Sequence, residues 1–214
     1  IAVLISTILS YGFYQWQYRE GYDRYLQETF NGSLHLLASG LERHNASNQQ
    51  RWLAVMERLM GADIDYQAVS PETIEGPGTA ELKIEHTETG IALDFSYNGH
   101  HLYTQIHKVK EQHFRMMATL IKNELGRIKQ DQYQQHIEQY LEPLFQPITL
   151  YGLNEVDLDG QQLSRLKRFD IVVTESTDED RQHYIYSRLT DTDQVLVIGP
   201  IEGFNPVPVA TLIW

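Results

Sequence analysis

The chain matches itself at an offset of 84 or 85 residues. Leu41-Glu42-Arg43 falls on Leu125-Gly126-Arg127, Ser47 and Gln50 fall on Asp131 and Gln134, Met56-Glu57 falls on Leu141-Glu142, and Tyr66 falls on Tyr151. Self-similarity at a fixed period is the signature of one supersecondary unit used more than once. Whatever the first half folds into, the second half must follow in the same element order. That removes most of the architectures open to 214 residues.

Hydrophobic periodicity gives the unit. From Arg19 onward, Tyr22, Tyr25, Leu26, Phe30, Leu34, Leu37 and Leu41 recur at helical spacing, which predicts a long helix with one apolar stripe. Asn45 to Asn48 break it. Ser47 with Gln50 predicts a capping-box start for a second helix, which Gly61 ends. Strands are expected over 64–69 and 82–84, either side of a loop holding Pro71, Gly76, Pro77 and Gly78. A hairpin follows, with Ile91 to Tyr97 and Leu102 to Ile106 alternating on either side of Asn98-Gly99, a type I′ turn signal. The second copy reads alike: a helix over 110–129, a helix capped by Asp131 and Gln134 and stopped by Pro147, and a strand over 148–153. A polar link, a strand over 169–174, and a hairpin of 184–188 with 194–198 complete it. The fold class predicted is α+β, with two tandem mixed α/β units over 19–108 and 109–201. Each is a long helix, a short helix and a small antiparallel sheet.

Both ends are apolar. Ile1 to Trp16 carries no charge, and Tyr11, Tyr14, Trp16 and Tyr18 gather at its far end, where amphipathic rings sit at a bilayer headgroup layer. A span of ~30 Å of hydrocarbon needs ~20 residues, so residues 1–18 are expected to be the end of one transmembrane helix. Residues 202–214, with Val207 to Trp214, are expected to start a second, leaving the domain between two spans on one side of the membrane. A signal peptide is the alternative for the first run, but no small-residue cleavage site follows the aromatic cluster.

Composition narrows the partners. A hydrophobic content of 42% with 21% charged residues belongs to a folded globular protein. Cysteine is absent, which removes disulfides, thiolate metal sites and a cysteine nucleophile, and is compatible with an oxidising periplasm. A net charge of −12 argues against nucleic acid, whose phosphates need clustered Lys and Arg.

The second copy resembles the periplasmic input domain of RstB-type sensor histidine kinases. The residues that carry the likeness are Tyr140-Leu-Glu-Pro-Leu-Phe-Gln-Pro-Ile-Thr-Leu, the patch Leu163-Ser-Arg-Leu-Lys-Arg, and the ending Val195-Leu-Val-Ile-Gly-Pro-Ile. The first copy shares the likeness only through the repeat, and this extra copy departs from the family pattern. The resemblance implies PAS-like units and a homodimer in the bacterial inner membrane with this domain in the periplasm. It further implies a kinase core downstream of Trp214 that serves a cytoplasmic response regulator.

Catalytic signatures are lacking. GxxxxGK[ST], GxSxG and HExxH do not occur, so the segment itself is not expected to be an enzyme or to hold an organic cofactor. His101 and His107 fall on one face of the first hairpin's second strand, where they read as solvated residues or as proton sensors, since histidine titrates near pH 6.5. They are six residues apart on a strand, about 20 Å, too far to ligate one metal without a bend. The loop acids Glu175, Asp178, Glu179 and Asp180 either keep the surface solvated or offer oxygen ligands to Mg²⁺ or Ca²⁺. Tyr133, Tyr140, Phe145, Tyr151, Phe169, Tyr184 and Tyr186 are core residues or the walls of a small cavity. The stripe Tyr22, Leu26, Phe30, Leu34, Leu37 and Leu41 is the expected homodimer interface.

The function these features point to is extracytoplasmic signal sensing, with an unidentified stimulus or periplasmic protein passed through membrane helices to a two-component histidine kinase. The rivals are the input domain of a chemoreceptor or cyclic-dinucleotide enzyme, and an envelope scaffold that sends no signal.

Overall fold

The computed structural model describes residues 2–68, 80–176, 182–190 and 192–203. It is α+β, with two separate four-stranded antiparallel sheets. Helix α1, Ala2–Arg43, runs unbroken for 42 residues, with no proline to interrupt it. From Ser10 to Glu20 its side chains are exposed but for half-buried Tyr14, with Tyr11, Phe13 and Trp16 among them. Further along, one stretch has no solvent face at all: every residue from Gly32 to Leu41 is buried. A helix enclosed on all sides needs small residues where neighbours come close, and Gly32, Ser33, Ala38, Ser39 and Gly40 alternate with leucines there.

Helix α2, Ala46–Met60, is capped by Asn45 and not by the expected Ser47: the Asn45 side chain accepts from the Asn48 amide at 3.1 Å. Gly61 closes it in the left-handed region, φ 69°. The first sheet comprises β1 Ile64–Ala68, β2 Glu81–Thr87, β3 Gly90–Tyr97 and β4 His100–Ile106, in the order β1-β4-β3-β2. Asn98 and Gly99 both have positive φ, 47° and 76°, as the type I′ turn demands. β2 is a full seven-residue edge strand rather than a three-residue fragment. Its outward Glu81, Lys83 and Glu85 are charged, which discourages edge pairing.

Helix α3, Glu111–Leu125, opens the second copy. The short helix that follows is irregular: a 3₁₀ turn at Gln130–Gln132, one turn of α4 at Tyr133–His136, then a π turn at Ile137–Leu141. Asp131 lies inside the 3₁₀ turn and caps nothing, contrary to expectation. The second sheet comprises β5 Ile148–Gly152, β6 Ile171–Glu175, β7 His183–Arg188 and β8 Gln194–Ile201, ordered β5-β8-β7-β6. The two sheets therefore share one strand order. The polar link between β5 and β6 holds a helix, α5 Gly160–Lys167, whose cap Asp159 accepts from the Gln161 and Gln162 amides, each at 2.8 Å.

α1 packs on the first sheet and α3 on the second, and the two helices lie against each other between the sheets. One continuous apolar core includes residues of both copies, and a small satellite of Leu166, Val172, Val195 and Val197 sits beside α5. The short helices are exchanged across the middle. Gln112 and His113 of α3 bond the Met60 carbonyl at the end of α2. Conversely, Leu144 and Phe145, just past the π turn, close on Gly32 of α1, where a Cβ would overlap the Leu144 carbonyl oxygen.

This arrangement corrects the interface expected on α1. Leu26, Phe30, Leu34, Leu37 and Leu41 are at most 1% exposed and belong to the chain's own core, with Tyr22 packed partly against them. The place a second copy's helix was expected to fill is taken by α3, the matching helix of the same chain. Among the described residues no helix is long and apolar enough to cross a membrane. The second span expected over 202–214 lies outside the described residues past Gly203.

Candidate functional site

The polar chemistry of the interior gathers where the two copies meet. His35, Ser39 and Arg43 follow one another at four-residue steps on α1, so they share a face. β3 brings Tyr97, α3 brings Glu124, and the α4 to π-turn segment brings His136 and Tyr140. The His35 ring centroid is 4.2 Å from Tyr97 and 6.3 Å from Tyr140, and His136 lies 5.0 Å from Tyr140. Tyr140 is hydrogen-bonded to Ser39. Arg43 Nη2 donates to Glu124 Oε2 at 2.8 Å, and His136 Nε2 stands 3.8 Å from Glu124 Oε1.

His35, Ser39 and Glu124 are buried, Tyr97, His136 and Tyr140 are half-buried, and Arg43 is exposed. His35 is 8% exposed and its Nδ1 has no hydrogen-bond partner. Burial lowers the His35 pKa, since a charged imidazolium would lose its hydration there, and burial raises that of Tyr140. Both shifts favour the neutral form of the side chain. A one-turn π segment widens a helix by a residue, and it is here that Tyr140 is carried toward α1. A change in the first sheet, in α3 or beside the π turn bears on α1 directly, because these elements pack on it, and α3 in turn packs on the second sheet.

A second titratable group lies at the other end of α3. The Lys110 amide donates to His113 Nδ1 at 3.0 Å, which leaves the proton on Nε2, and Nε2–H donates to the Met60 carbonyl at 3.1 Å. The ring meets Phe30 of α1 edge-on with centroids 5.2 Å apart. Burial pushes the His113 pKa down to about 4, with the Met60 carbonyl opposing the shift and the Lys110 charge adding to it. Protonation would also remove the Nδ1 lone pair that caps α3. The adjacent Phe114 ring lies 5.1 Å from that of His183, which pairs with Ile201 at the end of β8, so Phe30, the start of α3 and the last strand are joined by successive contacts.

The residues singled out in the sequence lie elsewhere. His101 lies on β4 and His107 just past its end, and each has its own partner: His101 Nε2 is 2.7 Å from Asp94 Oδ1, and His107 Nδ1 is 2.6 Å from the Thr89 carbonyl. Glu175 ends β6, whereas Asp178, Glu179 and Asp180 lie outside the described residues. Among the described residues no group of three or more His, Asp or Glu is placed to hold a metal ion. The seven aromatics do not line one cavity. Tyr140 is at the junction, Phe145 lies against Gly32, Tyr184 and Tyr186 flank the satellite core, and Tyr151 and Phe169 are exposed.

His35, Glu124, His136 and His113 were not anticipated. The usable signal was a polar series at four-residue steps inside an otherwise apolar helix, together with a histidine at the third position of a helix where Glu or Gln is common. Comparison of the chain with known protein families, with characterised proteins and with solved structures finds no match.

Proposed function

We propose that the chain is the extracytoplasmic sensing domain of a membrane-bound two-component sensor histidine kinase, built from two PAS-like units. The observation that carries this reading is α1. It is one unbroken helix whose outer stretch from Ser10 to Glu20 is largely exposed and rich in aromatics and whose inner stretch from Gly32 to Leu41 is buried. Repacking at the junction would displace that inner stretch, and a continuous helix transmits a shift along its axis rather than absorbing it. β8 is the second route, tied to α1 through Phe114 and His113. The likeness of the second copy to RstB-type input domains supplies the class of output.

The test is phosphoryl transfer. The whole gene product in inner-membrane vesicles should take phosphate from ATP onto a histidine, and Tyr140→Ala, which empties the junction beside α1, should change that rate several-fold in either direction. Vesicles that form no acid-labile phosphohistidine would refute the kinase assignment. A rate untouched by Tyr140→Ala would refute transmission through the junction.

A further inference from the structure

His136 sits at the junction with no hydrogen-bond partner for its Nε2, an atom shut off from water. A carboxylate lies just short of it. Glu124 Oε1 of α3 is 3.8 Å away, about 1 Å beyond a charge-assisted hydrogen bond. The other oxygen, Oε2, already accepts from Arg43 of α1 at 2.8 Å. A carboxylate can accept on both oxygens, and among the described residues no donor is bonded to Oε1. The His136 side chain is 24% exposed and lines a groove of about 280 Å³ with Ile128, Gln132, Gln135, Gln139 and Tyr140, so a proton can reach the ring from solvent.

The charges around the ring are opposed. Arg43, Ser39 and His35 face the junction from α1, Glu124 from α3, Tyr97 from β3 and Tyr140 from the ring's own segment. Glu138 of that segment is bonded to Gln134 at 2.7 Å, and burial favours the neutral form of His35. Glu124 therefore attracts a positive ring and Arg43 repels it, so a charged His136 is held only by sharing the carboxylate. The place is peculiar to the second copy. Gln50 falls on Gln134 at an offset of 84 and Met56 on Leu141 at 85, which leaves one residue more between the matched points in the second copy. There α2 is a regular helix, whereas the second copy makes the π turn Ile137–Leu141 directly after His136. A π turn takes up such an extra residue, and π turns are frequent at functional sites.

We propose that His136 is a proton-operated latch on the junction: once charged, its Nε2–H closes on Glu124 Oε1 beside the Arg43 pair and draws the start of the π turn, with Tyr140, toward α3. A neutral ring has one N–H and no net attraction to the carboxylate, whereas a charged ring donates from both nitrogens and is pulled by the opposite charge. The proton enters from solvent through the groove and leaves the same way. Tyr140 is hydrogen-bonded to Ser39, so closure is felt on the enclosed stretch of α1. The latch does not depend on what output the chain has.

The test is nuclear magnetic resonance of the full chain in detergent with ¹³C-labelled tyrosine, the Tyr140 ring signal being assigned by its absence in Tyr140→Phe. Histidine is the side chain that changes charge between pH 8 and pH 5, so the Tyr140 signal should move in one step across that interval. The step should be lost in His136→Gln and in Glu124→Gln, and kept in His107→Gln, which alters an exposed histidine bonded to the Thr89 carbonyl. His136→Gln should leave the urea midpoint at pH 8 unchanged, because the Nε2 it removes has no bond to lose; this variant decides the matter even where Glu124→Gln folds poorly. A Tyr140 signal that does not move in the wild type would overturn the proposal. So would a step that survives in His136→Gln, which would place the proton on His35 or elsewhere, or one that survives in folded Glu124→Gln.

Discussion

Acid should destabilise this domain through His113, whose pKa burial lowers. The ring is 3% exposed and donates through Nε2 while accepting through Nδ1, so only the neutral form fits. Its folded pKa of about 4 lies below the ordinary 6.5. A depressed folded value means that the unfolded chain binds the proton first. The stabilisation is complete above the unfolded pKa and is lost as pH falls from about 6.5 toward 4. At 1.36 kcal/mol per unit the whole effect is about 3 kcal/mol, of which about 2 is lost between pH 7 and pH 5. Gln at this position keeps a capping acceptor and an amide donor but cannot take up a proton. Urea unfolding of wild type and His113→Gln at pH 7.0 and 5.0 should show the wild type losing about 2 kcal/mol more than the variant across that interval. Parallel losses in the two proteins would refute the reasoning, because the proton would then be entering elsewhere.

Gly32→Ala places a Cβ on the Leu144 carbonyl and should cost about 1–3 kcal/mol in urea unfolding, as overpacking does; a neutral result would mean the π-turn segment can draw back freely. Glu124→Gln removes the carboxylate that meets Arg43 at 2.8 Å and should cost about 1–3 kcal/mol at pH 7, whereas a loss under about 0.5 kcal/mol would place the pair among ordinary surface salt bridges. Leu26→Asp should unfold the domain, as judged by near-ultraviolet dichroism, rather than dissociate a dimer of folded chains, because Leu26 is wholly buried. Gly99→Val in the type I′ turn should cost about 1 kcal/mol or more and leave the second sheet's chemical shifts unchanged.

The elements with strong local signals were legible from the sequence. Periodicity located α3 and the Asn98-Gly99 hairpin, and the offset between copies anticipated a shared strand order, because these signals depend on neighbours in sequence. The Asn45 cap was displaced by two residues, since Asn and Ser compete for the same role and only backbone geometry decides. α5 was hidden in a polar link, although Asp159 and Gln162 carry a capping-box spacing. The junction was not legible. Nothing in the stripe of α1 tells whether its partner is another molecule or a later part of the same one, and the small residues on its other faces read as polar surface until α3 and the π turn cover them. The π turn has no local sequence mark. For the same reason His35 looks like one histidine among nine until Tyr97 and Tyr140 arrive from distant segments.

The packing of α1 on α3 puts two copies of one unit in permanent company. When identical subunits associate, every substitution appears on both sides of the axis and the encounter depends on concentration. Here a tether makes the encounter intramolecular, and each half mutates alone. One half is thereby free to commit its arginine, Arg43, to a pair with Glu124 of the other half, while the counterpart Arg127 stands exposed. The chain thus holds an inherently lopsided pair.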